Sequence, residues 1–93
     1  MPDFAIVWDD EDDPDGNVQH IARHGLVPEE VEQVLRNPRN RTTVSQSSER
    51  PLTFGWTKTG KFIAVSWDLI QQHPRTVYPV TASPVPPPRR KRP

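Results

Sequence analysis

The spacing of apolar residues changes along the chain, and this change limits the fold more than any other feature. Phe4, Ile6 and Trp8 alternate with their neighbours, as residues of a strand do. Apolar residues then recur at helical spacing through residues 17–37, and from Arg41 the period returns to two. A strand followed by helices and then by further strands predicts an α+β domain.

Two short helices are predicted after the first strand. Asn17 is a favoured N-cap residue, and Gly25 can adopt the left-handed conformation that ends a helix. Pro28 is favoured at the first position of a helix, and Asn37-Pro38 stops the second one. We expect these helices to pack as a pair on one face of the sheet.

The second half of the chain predicts an antiparallel sheet of three to four strands. These strands are expected at residues 42–44, 52–56, 61–67 and 75–82. Residues 68–74 are expected to form a loop or a single helical turn, and Pro79 indicates an edge or a bulge in the last strand. Trp8 and Trp67 are expected in the core.

The composition changes at the end of the chain. Of the thirty apolar residues, only Val85 lies beyond residue 83. Residues 1–83 therefore predict a single domain. Residues 84–93 hold five prolines and four basic residues, which predicts a disordered or polyproline-like tail. The tail is either a solvated end, an electrostatic anchor or a docking peptide.

The composition also excludes several classes of site. Cysteine is absent, so disulfide scaffolds, zinc ribbons, iron–sulfur sites and thiol catalysis are excluded. The aspartates from Asp10 do not match a calcium loop, because Pro14 occupies the fifth position. His20 and His24 have no third zinc ligand near them in the pattern. No metal or cofactor is expected, and without an apolar run of ~18 residues or a signal peptide we expect no membrane contact and a cytoplasmic location.

The formal net charge of zero hides a strong polarity along the chain. Positions 1–32 hold ten acidic residues and one basic residue, whereas positions 33–93 hold eleven basic and two acidic residues. One interpretation is that the acidic head folds against the basic strands and neutralises them. The other is a basic face for an anionic partner such as RNA or an acidic protein.

Five segments, in this order and spacing, carry a resemblance to a known family. They are Phe4–Asp9, which ends in Trp-Asp, Asn17–Leu26 with its His-Gly turn, Pro28–Pro38, the hairpin Arg50–Val65, and Arg75–Ala82. Together they resemble the BrnT family of small bacterial toxins, within the RelE-like ribonucleases. The resemblance covers residues 4–82 and implies a RelE/BrnT-like fold.

The resemblance implies metal-independent RNA cleavage by a toxin of a toxin–antitoxin pair. In such a reaction a base removes the proton of the ribose 2′-hydroxyl while cations stabilise the phosphorane. Lys61 and Arg75 are the candidate phosphate clamp, and His24 is the candidate base, although a histidine there also suits the last carbonyls of its helix. The candidate RNA-binding residues are Arg50, Trp56, Lys58 and Tyr78.

Two departures from the family favour an alternative function. Ser83 stands where the family strand ends in arginine, and prolines replace the basic C-terminal helix. Both changes fall where such a nuclease holds the scissile phosphate. The alternative is a non-catalytic binding or regulatory module that pairs with a protein partner. An antitoxin protein and RNA are therefore the expected partners, and the oligomeric state stays open.

Overall fold

A computed structural model describes residues 4–88 and contains five strands and two helices within them. The elements are β1 (Ala5–Ile6), α1 (Asn17–Ala22), α2 (Pro28–Arg36), β2 (Arg41–Val44), β3 (Pro51–Trp56), β4 (Phe62–Gln72) and β5 (Arg75–Pro84). The α+β class and the predicted order of elements are thus confirmed.

The sheet is larger than expected, and it is mixed. Its strand order is β1-β5-β4-β3-β2, with antiparallel pairing from β2 to β5 and parallel pairing of β1 with β5. The expected antiparallel sheet of three to four strands is found in β2–β5, and the expectation did not include β1, which extends this sheet in parallel. The two helices form the crossover that connects β1 to the rest of the sheet. Strand β1 therefore runs parallel to β5, with Ala5 opposite Thr76.

The β4–β5 hairpin is longer than the sequence predicted. Residues 68–72, expected in a loop or helical turn, continue β4 because they pair with residues 75–78 of β5. The hairpin turns at His73-Pro74, whose peptide bond is cis. The bulge predicted from Pro79 is confirmed, since the register shifts between Ser66 and Trp67 of the facing strand.

The two helices begin and end largely as their sequence dictates. Gly25, with φ of 77°, ends the α1 turn, and α2 begins at Pro28. Asn17, however, is the first helical residue and does not cap α1. The side chain of Asp9 takes that role by accepting a hydrogen bond from the Asn17 backbone at 2.9 Å. This frees the Asn17 side chain to bind elsewhere.

The helices cover one face of the sheet, as predicted. Helix α1 packs against β5, and α2 packs against β3 and β4. The core between them consists of Ile21, Leu26, Val31, Val34, Ile63, Val65, Trp67, Val77 and Ala82. Trp67 is in the core as expected, and Trp8 packs against it while donating a hydrogen bond to Glu32 at 2.9 Å. The other face of the sheet carries no helix within residues 4–88.

The C-terminal segment begins on the sheet. Strand β5 runs to Pro84, and the Val85 backbone N–H donates to the carbonyl of Phe62 at 2.9 Å. Residues 89–93 of the predicted tail lie outside the described residues. Within residues 4–88, neither helix has the length and apolarity that crossing a membrane requires.

Candidate nucleic-acid interface

Lys61 lies beside the turn that carries His24, and its charge is already engaged. Its Nζ donates to the carbonyl of Gly25 at 2.8 Å and forms an ion pair with Glu30 at 3.1 Å. The carboxylate of Glu30 also accepts hydrogen bonds from the Val27 backbone and the Thr59 hydroxyl. Burial raises the pKa of Glu30, but the hydrogen bonds from Thr59 and Lys61 outweigh it, so this pKa lies below its ordinary value. Lys61 therefore ties the β3–β4 turn to α2.

Arg75 lies far from Lys61, at the opposite end of the same hairpin. It is paired with Gln72, the last residue of β4, whereas Lys61 directly precedes that strand. At a rise of about 3.3 Å per residue, the two backbone positions are roughly 36 Å apart along the hairpin. The Arg75 guanidinium lies 6.0 Å from the centre of the Trp67 ring. The structure thus does not bring the two candidate phosphate-clamp residues together.

Tyr78 and Arg50, two of the candidate RNA-binding residues, are held by carboxylates. The Tyr78 hydroxyl donates to Asp9, and this bond, with burial, raises the pKa of Tyr78 to about 12. Arg50 forms an ion pair with Asp68 at 3.0 Å, and both side chains are partly exposed. Tyr78 therefore faces the acidic loop that follows β1, a position that repels phosphate.

Lys58 is exposed in the β3–β4 turn, on the helical side of the sheet. Its backbone N–H donates to Gln33 of α2 at 2.8 Å. Its side chain lines a depression along α2 together with Glu29, Glu32 and Arg36. Two carboxylates in this depression make it a poor phosphate site. Lys58 thus lies on the other side of the sheet from Trp56, although only Thr57 lies between them in sequence.

Trp56 belongs to an aromatic cluster on the face that the helices leave open. It is paired with Phe62 across β3 and β4, and their ring centres lie 5.2 Å apart. The Phe54 ring stacks on Phe62, with centres 6.4 Å apart and planes at 18°. Alternation along β3 places Phe54 and Trp56 on this face, away from the core. Trp56 is 55% exposed.

Two arginines complete a groove around this cluster. Arg41 is paired with Phe54 across β2 and β3, and Arg39 lies in the turn just before β2. The groove, called the aromatic groove below, has a volume of about 520 Å³. Its lining residues are Arg39, Asn40, Arg41, Phe54, Gly55, Trp56, Phe62, Pro86 and Pro88. The lining contains two cations and no carboxylate.

The fold separates the charges of the chain in space. The acidic loop, residues 9–15, follows β1 at one edge of the sheet, and Arg39 and Arg41 lie at the other edge. Four strand spacings of about 4.8 Å separate these edges by roughly 19 Å. None of the three ion pairs among residues 4–88 involves the acidic loop. The expected neutralisation of the acidic head, residues 1–32, is therefore found only in part. Glu30 and Glu32 form ion pairs with Lys61 and Arg36, whereas residues 9–15 form none within residues 4–88.

Sequence reasoning found Trp56 but missed its surroundings. The sequence pattern predicts Phe54 and Phe62 only as strand residues, and it does not mark Arg39 or Arg41 as site residues. The register of β2 against β3 would have revealed them, because it sets Arg41 opposite Phe54. That register depends on the turn at residues 45–50, which closes through a hydrogen bond from Ser45 to the Arg50 carbonyl at 2.8 Å.

Neither a metal-binding cluster among the described residues nor a similar protein indicates the function. Among residues 4–88, no group of three or more histidine, aspartate or glutamate side chains is arranged to hold a metal ion. Comparison of the chain with family models, curated proteins and solved structures found no match in any of the three. The aromatic groove is therefore the feature that indicates a function.

Proposed function

We propose that this domain is a non-catalytic binding module for single-stranded RNA and that the aromatic groove is its site. One observation carries the proposal: three aromatic rings and two arginines line one groove that contains no carboxylate. Exposed rings offer stacking surfaces to unpaired bases, and the arginines attract the phosphates between them.

The geometry favours a single strand over a duplex. The bases of a duplex are stacked on one another, so their flat faces are not free to lie on protein rings. Trp56 and Phe62 present their rings on an open strand pair, with no helix over them in the described chain. Stacking tolerates any base, and the proposed binding is therefore weakly selective for sequence.

The arrangement of the cations supports binding rather than cleavage. A phosphorane requires its cationic donors within hydrogen-bond distance of one phosphate. Lys61 is ion-paired with Glu30 beside the start of β4, whereas Arg75 pairs with the end of β4 and its guanidinium lies 6.0 Å from the Trp67 ring. These two residues do not meet at a common phosphate, and neither lines the aromatic groove.

The proposal is tested by measuring the affinity for labelled oligouridine of about twelve nucleotides, within the ~4–16 nucleotides that single-strand-binding folds cover. Trp56→Ala is expected to weaken binding by about 5- to 150-fold, since stacking contributes about 1–3 kcal/mol per base. Tyr78→Phe is the matched aromatic control and is expected to bind as the unchanged protein does. Equal affinity of the folded Trp56→Ala variant would refute the proposal.

A toxin-like ribonuclease of a bacterial toxin–antitoxin pair is the second candidate function. It is supported by the resemblance to the BrnT family and by one observation in the structure. Lys61 binds the carbonyl of Gly25, the residue after His24, so a base and a cation lie at the same end of the sheet. This function would act in the cytoplasm and would require an antitoxin protein as partner.

Expression of the protein in a bacterium separates the two functions. A ribonuclease arrests growth and degrades total RNA. His24→Ala is expected to relieve this arrest because it removes the general base, and His24 is exposed, so the fold should not be affected. A binding module causes neither effect. Growth arrest that His24→Ala does not change would show that His24 is not the base of this reaction.

A further inference from the structure

The C-terminal segment leaves the sheet beside the aromatic groove. Pro84, the last residue of β5, is paired with Ile63, and Val85 donates to the carbonyl of Phe62 at 2.9 Å. Phe62 is itself one of the three rings of the groove. The next three residues are prolines, which have no N–H to continue the ladder. The chain is thus fixed at Val85, and Pro86–Pro88 donate no further backbone hydrogen bond to β4.

The proline segment then runs along the groove. Pro86 and Pro88 line it together with Trp56 and the two phenylalanines, whereas Pro87 does not. Proline-rich segments dock on aromatic grooves because their backbone is already extended and loses little entropy on binding. Trp56 remains 55% exposed, so the segment covers only part of its ring.

We infer that Pro86–Pro88 is an internal ligand of the aromatic groove and that single-stranded RNA must displace it to bind. The inference rests on the proposed function. A segment tethered at Val85 has an effective concentration in the millimolar range for the groove. Because RNA binds only the molecules whose groove is open, its apparent affinity falls in proportion to the closed fraction. Pro86–Pro88 therefore sets the affinity of the site.

The inference is tested with a double variant, Pro86→Ser with Pro88→Ser, and a matched control, Pro87→Ser. Both keep the length and charge of the chain. The first measurement needs no RNA: quenching of tryptophan fluorescence by acrylamide, with the Trp56 contribution obtained by difference from Trp56→Phe versions. The double variant is expected to increase quenching of Trp56, and Pro87→Ser is expected to leave it unchanged.

The second measurement is affinity for the same oligouridine. The double variant is expected to bind several-fold more tightly, and Pro87→Ser as tightly as the unchanged protein. Unchanged quenching in the double variant overturns the internal contact, and increased quenching without tighter binding overturns the competition. If no variant binds RNA, the proposed function fails, while the quenching result still decides whether Pro86 and Pro88 cover Trp56.

Discussion

Trp56 and Phe62 face each other across β3 and β4, with ring centres 5.2 Å apart on the side of the sheet that carries no helix within residues 4–88. Exposed aromatic pairs of this kind bury little area in the monomer, so core packing does not account for the position of Trp56. Arg41, paired with the neighbouring Phe54, adds a cation to the same surface. This surface is the basis of the proposed RNA site.

Replacing Asn17 with alanine is expected to destabilise the domain by about 2–4 kcal/mol. Its buried side chain donates to the carbonyls of Val7 and Pro79 and accepts from the Asp9 backbone, and each group left buried without a partner costs about 1–3 kcal/mol. Urea unfolding measures the change. Asn37→Ala, at an exposed helix end, is the control and is expected to cost less than half as much.

The free energy of unfolding is expected to fall below about pH 4.5 in part through Glu30. The folded-state pKa of this group lies below its ordinary value of 4.5, so the unfolded chain takes up the proton at higher pH. The stabilising contribution is thus present above that value and is lost as the pH falls through the folded pKa. Urea midpoints from pH 7 to pH 3 should drop less in Glu30→Gln than in the exposed control Glu29→Gln. Parallel curves would contradict this assignment.

Gly55→Ala is expected to destabilise the domain by about 1–3 kcal/mol through overpacking. A Cβ at this position would collide with the side chain of Asn40, which is fixed by its hydrogen bond to the Val34 carbonyl at 2.8 Å. A double-variant cycle measured by thermal unfolding checks the cause. In an Asn40→Ala background the added methyl group should cost much less, and an equal cost in both backgrounds would point to another origin.

The sequence predicted the local elements well because their signals are local. Proline at the start of α2, glycine after α1 and alternation in β3 and β4 act over a few residues. The pairing of β1 with β5 joins residues about seventy positions apart, and nothing in either segment specifies it. Residues 68–72, Asp-Leu-Ile-Gln-Gln, do not alternate between apolar and polar, so the extension of β4 depends on its partner strand rather than on its own pattern.

The candidate site was harder to predict because it depends on register. Lys61 and Arg75 were predicted to act together because both match basic positions of the BrnT strands. However, Lys61 lies at the beginning of β4 and Arg75 at the beginning of β5, and these two strands are antiparallel. The beginnings of such strands lie at opposite ends of a hairpin, and this geometric argument could have separated them. Trp56 was predicted because it lies beside the Lys58 turn, where a tryptophan can stack on bases if it is exposed. Arg39 and Arg41 lie in and just before β2, so placing them beside Trp56 requires knowing how β2 pairs with β3.

The salt dependence of RNA binding tests the central claim most directly. For single strands the logarithm of the binding constant falls with the logarithm of salt concentration by about 0.7 per phosphate neutralised. Arg39→Gln with Arg41→Gln is expected to reduce this slope by about 1.4, twice that value, and to weaken binding at low salt. Arg75→Gln, which removes the same type of charge from a residue that does not line the aromatic groove, is expected to leave the slope unchanged. A slope that responds to Arg75 and not to Arg39 and Arg41 would contradict the account.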